Sequence, residues 1–101
     1  MIVIKNSVLL HENDNVVTVI RDITAGEEVC YEKGGAVKKV TATESIPLGH
    51  KVALSEIREG IKVIKYDAVI GCAKKDIKVG DLVHVNNLES IRGRGDLNTS
   101  N

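Results

Sequence analysis

Apolar residues along this 101-residue chain come in short runs, broken every few positions by a glycine or by charged residues. No segment sustains the i, i+3, i+4, i+7 recurrence of an amphipathic helix. What remains is alternation with a period near two, which predicts strands near residues 2–10, 15–21, 28–33, 36–42, 51–54, 62–66, 68–73 and 82–87. Gly34-Gly35 reads as a short hairpin turn, and Tyr66-Asp67-Ala68 as a second tight connection. The stretch from Thr43 to Gly49, with the only proline at Pro47, reads as a non-strand crossover.

One local device recurs three times: an acid, then Ile-x-x-Gly-x-x-Val. It occupies Asp22-Ile23 to Val29, Glu56-Ile57 to Val63, and Asp76-Ile77 to Val83. The unequal offsets exclude a solenoid array. Glycine supplies a turn position with φ > 0, the isoleucine anchors the turn in the core, and the strand restarts at the valine. Gly26, Gly60 and Gly80 are therefore expected in turns, with Ile23, Ile57 and Ile77 buried beside them.

Composition sharpens the fold class. Fourteen Val and eleven Ile stand against seven Leu, with no Phe or Trp and only Tyr31 and Tyr66 as aromatics. β-Branched side chains suit a pleated surface better than a helix. The expectation is an all-β fold of short, folded-over strands with little helix. It forms one domain over residues 1–89, followed by a flexible, polar, glycine-punctuated tail over 90–101. Fourteen Lys and Arg balance fourteen Asp and Glu, so no basic stripe offers itself to nucleic acid. No apolar run approaches the ~18 residues of a membrane helix. Lys5 interrupts the first apolar stretch, which does not suit a signal peptide. The expected setting is the cytoplasm.

Chemistry-bearing residues are few. Cys30 and Cys72 each sit in an apolar stretch and read as reduced, buried thiols. There is no phosphate loop, CxxC or Ser-His-Asp pattern. His11 precedes a polar run and reads as a turn residue. His50-Lys51 emerges from a Pro/Gly loop, and an imidazole beside an ammonium suits anion binding or proton transfer. Alternation places Leu82, His84 and Asn86 on one face and Val83, Val85 and Asn87 on the other. His84 is either a satisfied sheet-edge histidine or a ligand contact.

These motifs in this order resemble a known family. Gly49-His50-Lys51-Val52-Ala53-Leu54, Val63-Ile64-Lys65-Tyr66, Ile70-Gly71, Asp76-Ile77-x-x-Gly80 and Val83-His84-x-x-Asn87 look like the SAF domain of altronate/galactarate dehydratases. The small chain of a two-subunit sulfolactate sulfo-lyase is of the same kind. Arg92-Gly93-Arg94-Gly95-Asp96 resembles the end of such stand-alone small chains. The resemblance implies a β-clip fold and a lyase subunit, inactive without a large catalytic partner, that acts on a sugar acid. It implies a divalent metal, Fe²⁺ among the options, held only weakly by this chain alone. His50, Lys51 and Asn87 are then expected on the substrate and His84 on the metal, the two histidines on one side with Lys51 and Asn87 nearby. Where the dehydratases carry alternating histidines, this chain reads Leu82-Val83-His84-Val85-Asn86-Asn87. Where they have glycine after Lys-Tyr, it has Asp67. The competing reading is a non-catalytic binding or assembly module, because the fold is also similar to type III antifreeze proteins. The threonines at 18, 24, 41, 43 and 99 form no regular array for such a face. Self-association remains open at this point.

Overall fold

The computed structural model describes residues 4–90. They form nine strands and no helix: β1 Ser7–Val8, β2 Val16–Val19, β3 Glu28–Lys33, β4 Ala36–Thr41, β5 Lys51–Ala53, β6 Lys62–Lys65, β7 Ala68–Ala73, β8 Leu82–Val83 and β9 Leu88–Ser90. The fold is all-β, as expected. No helix among the described residues is long and apolar enough to cross a membrane. The first sheet has the order β1-β2-β5-β8, β3 and β4 form a hairpin, and β6-β7-β9 form the third sheet; every pairing is antiparallel.

The repeated turn organises the molecule, and it occurs four times. The additional copy is Ile46-Pro47-Leu48-Gly49-His50-Lys51-Val52, in the stretch expected to be a plain crossover. Ser45 stands there in place of the acid, which hides it from a pattern that begins with one. The four glycines have φ of +88°, +87°, +86° and +90° at positions 26, 49, 60 and 80. Gly80 is constrained twice, since a Cβ there would also lie 1.9 Å from the Thr41 carbonyl oxygen. The four isoleucines are at most 2% exposed. They join in two pairs: Ile23 and Ile46 exchange both backbone hydrogen bonds at 2.8 Å, as do Ile57 and Ile77. Asp22 accepts a hydrogen bond from the Leu48 amide, and Asp76 one from the Glu59 amide, so an acid of one turn braces the turn paired with it.

Each pair nucleates its own core. Val17, Val19, Ile23, Val29, Tyr31, Ala42, Ile46 and Val52 form the first. Val16, Ala53, Ile57, Val63, Ala73, Ile77 and Val83 form the second. β2 and β5 serve both, because alternate residues of one strand face opposite sides of a sheet. Thus Val52 enters the first core and Ala53 the second. The halves match in detail. Asn6 accepts from the Cys30 amide and donates to the Glu28 carbonyl, while Asn15 accepts from Ile64 and donates to Lys62.

Three expectations change. The first strand is shorter than 2–10, and residues 1–3 lie outside the described set. The strand over 82–87 ends at Val83, and residues 84–87 form a turn in which the Asn87 and Leu88 amides both donate to the His84 carbonyl. Val85 is therefore exposed rather than facing a core. Finally, Leu88–Ser90 forms a strand, β9, that the pattern did not predict and that pairs with β7. Arg92 to Asp96 and the rest of the expected tail lie outside the described residues. Cys30 is buried and Cys72 half-buried.

Candidate functional site

Register alone brings two histidines together. β5 and β8 pair Lys51 with Val83 and Val52 with Leu82. One step beyond the ladder, the antiparallel partner of His50 is His84. Their ring centroids are 5.2 Å apart, with the planes tilted by 32°. His50 is half-buried and His84 exposed. Each rides on a tight turn. His50 follows the positive-φ Gly49 and its amide donates to the Pro47 carbonyl. His84 is held by Asn87, whose side chain accepts from the His84 amide at 2.8 Å and donates to the Leu82 carbonyl at 2.7 Å.

That bonding corrects one expectation. Asn87 is buried, and its amide fixes the backbone around His84 instead of facing outward. Its role here is to position. Lys51 departs too. Its cross-strand neighbours are Thr18 and Val83, and Val83 belongs to the second core. His50 shares the parity of Val52, and His84 that of Leu82, which packs on the first core. Lys51 therefore projects from the opposite face of the sheet to the histidines. Burial, and secondarily the nearby Lys65, hold its ammonium below the usual lysine range. His11 is a turn residue: its Nδ1 accepts from the Asn13 amide and stands 3.7 Å from Asp67.

The histidine pair suits a shared cation as half of a ligand set. A ligating imidazole nitrogen sits about 2.1 Å from a metal, which places each ring centroid about 3 Å from it. Two centroids 5.2 Å apart meet that spacing. The His50 Nδ1 is 3.4 Å from the Leu48 carbonyl oxygen, so an Nδ1–H directed there leaves Nε2 as the free acceptor. Among the described residues no group of three or more His, Cys, Asp or Glu converges on one point. Two imidazoles need further ligands from elsewhere to hold an ion firmly. A surface groove of about 520 Å³ lies away from them, lined by Lys5, Ser7, Val8, Leu9, Ile20, Glu32 and Gly34.

A two-core β fold that carries a paired but incomplete histidine site at a strand end defines a small SAF-type module. Residues 5–91 match the family model described as the altronate/galactarate dehydratase SAF domain, and the chain belongs to that family. It is similar to the altronate dehydratase of Bacillus subtilis (strain 168), 35% identical over 86 residues, covering 85% of this chain and 16% of the relative. The (2R)-sulfolactate sulfo-lyase subunit alpha of Chromohalobacter salexigens is 32% identical over 90 residues, covering 83% of this chain and 94% of that subunit. The subunit alpha from Paracoccus pantotrophus is 44% identical over 54 residues, covering 54% of this chain and 81% of that subunit. The chain thus spans about a sixth of the altronate dehydratase it matches.

Proposed function

We propose that this chain is the SAF subunit of a cytoplasmic sugar-acid dehydratase, completing the substrate and metal site of a larger catalytic partner. The observation that carries this reading is the His50–His84 pair, its rings 5.2 Å apart on two tight turns and, among the described residues, short of a full ligand set. Removing water from a hydroxy acid needs a base for the proton α to the carboxylate and an acid for the departing hydroxyl. A divalent cation bound here would supply Lewis acidity toward the carboxylate and the leaving hydroxyl. His50 and His84 would hold it through neutral, unprotonated ring nitrogens. Asn87 keeps the His84 backbone in place. A second reading, a sulfo-lyase-type subunit, is favoured by the 94% coverage of the Chromohalobacter subunit.

The test is complementation. The chain is mixed with an altronate dehydratase lacking its SAF region, and separately with the large subunit of a sulfo-lyase. Formation of 2-keto acid from altronate or galactarate, and of sulfite from (2R)-sulfolactate, is then followed. The chain alone should be inactive and a mixture active, with His50→Ala/His84→Ala lowering the rate at least ten-fold. Turnover by the chain alone, or full rescue by the double variant, would overturn the reading.

A further inference from the structure

Behind the histidines, the second-core face of the sheet presents an unusual row. Thr18 on β2, Lys51 on β5 and Val83 on β8 stand directly opposite one another, so their side chains share one face. The Thr18 hydroxyl is buried and has no hydrogen-bond partner. Lys51 is half-buried. Lys65 joins it, also half-buried, from β6, which the Asn15–Ile64 hydrogen bonds fasten to the residue just before β2, and its charge acts on the Lys51 ammonium. The matching position in the first half is Tyr31, the second residue after the repeat valine, which closes the first core. The second half therefore puts a cation where the first half puts a phenol ring.

No carboxylate among the described residues pairs with either lysine. The acids at the Tyr66-Asp67 turn that follows Lys65 are otherwise engaged. Asp14 accepts from the His11, Tyr66 and Asp67 amides, and Asp67 accepts from Asn13. Two unpaired ammonium groups near one another repel, and the repulsion grows as water is excluded. A buried hydroxyl lacking an acceptor adds to the unmet demand. One anionic group answers all three, since charge-assisted hydrogen bonds to oxyanions are the strongest that such donors make.

We infer that Lys51, Lys65 and Thr18 form a subsite for the oxyanion head of a small acid, a carboxylate or a sulfonate. It goes beyond the function proposed above, because it lies on the opposite face of the sheet from the histidines. It also separates the work of the sheet: the histidine face is open to a cation and the lysine face to an anion.

The full chain, labelled with ¹⁵N and ¹³C, is titrated with sodium acetate and with sodium methanesulfonate, using sodium chloride at matched ionic strength as the control. Saturable shifts are expected at Thr18, Lys51 and Lys65 with the two oxyanions and not with chloride. Which oxyanion saturates at lower concentration distinguishes the carboxylate from the sulfonate. Lys51→Gln and Lys65→Gln should each weaken binding at least five-fold, and Thr18→Val about two-fold, with the amide spectra of the variants otherwise preserved. Shifts that merely follow ionic strength, or binding by either lysine variant as tight as by the parent chain, would overturn the subsite. Complementation would remain measurable in either case, so loss of the subsite and loss of the lyase reading are told apart.

Discussion

The two halves of this protein are built on one plan and finished differently. Ile23 and Ile46 in the first half correspond to Ile57 and Ile77 in the second, and Val29 and Val52 to Val63 and Val83. Both hairpins turn through two residues with positive φ. Gly34 and Gly35 do so at +59° and +81°, Tyr66 and Asp67 at +56° and +59°. Glycine accepts that backbone freely, whereas Tyr and Asp do so at a cost of roughly 1–2 kcal/mol per residue. The second hairpin offsets the cost with a clamp: the Asp14 carboxylate accepts from the Tyr66 amide at 2.7 Å and the Asp67 amide at 2.8 Å. The other divergence is Tyr31 against Lys65. Burial raises the Tyr31 phenol above its usual range, as expected of a ring closing a core. Lys65 leaves the second core rimmed by charge. A duplicated framework fixes where side chains go, and substitution at matched slots makes one half a closed core and the other a surface able to bind.

That comparison is most severely tested in the cores. Ile46→Ala and Ile77→Ala should each destabilise the chain by about 3 kcal/mol in urea unfolding, since both side chains are fully buried. A loss below ~1 kcal/mol at one site alone would show that the halves are not energetic equals. The hairpins come next. Asp14→Ala should cost about 2 kcal/mol by stranding amide donors. Adding Asp67→Gly to that variant should restore about 1 kcal/mol by relieving the left-handed turn. If the glycine restores nothing, the second turn does not depend on the clamp.

The smallest effect is electrostatic. Lys51 has a lowered folded-state pKa, so the unfolded chain binds more protons in the alkaline range just below about 10.4. Stability should therefore rise with pH across that range. Lys65→Gln removes the like charge, moves the Lys51 pKa upward, and makes the rise shallower. Burial is the larger cause, so the pKa should stay below the ordinary value. Following the Lys51 Cε resonance through an alkaline titration checks both signs. An unmoved Lys51 in the variant would mean that the two lysines do not interact.

Much of this architecture was legible in the chain. The Ile-x-x-Gly-x-x-Val device announced turns at Gly26, Gly60 and Gly80 and burial of Ile23, Ile57 and Ile77, because a positive φ and an apolar anchor are local requirements that local residues reveal. The copy at Ile46 was equally local, but Ser45 removed the acid that marked the other three. β-Branched residues and the absence of helical periodicity gave the all-β class, since that preference also lies in the side chain and its pleated neighbours. The ordered motifs that place His50 and His84 in the family were legible too. That they lie on one side was implied by the resemblance and holds. Direct ring-to-ring contact was not legible: thirty-four residues separate them in sequence, and only the pairing of Lys51 with Val83 brings His50 opposite His84. Alternation extended past Val83 gave the wrong environment for Val85, because where a strand stops depends on its partners, and the resemblance gave the wrong one for Asn87, which is buried. Thr18, Lys51 and Lys65 carry no common signature in sequence. They come together because β2 and β5 are adjacent in the sheet and β6 packs against it, and such long-range pairing is fixed by shared cores rather than by neighbouring residues.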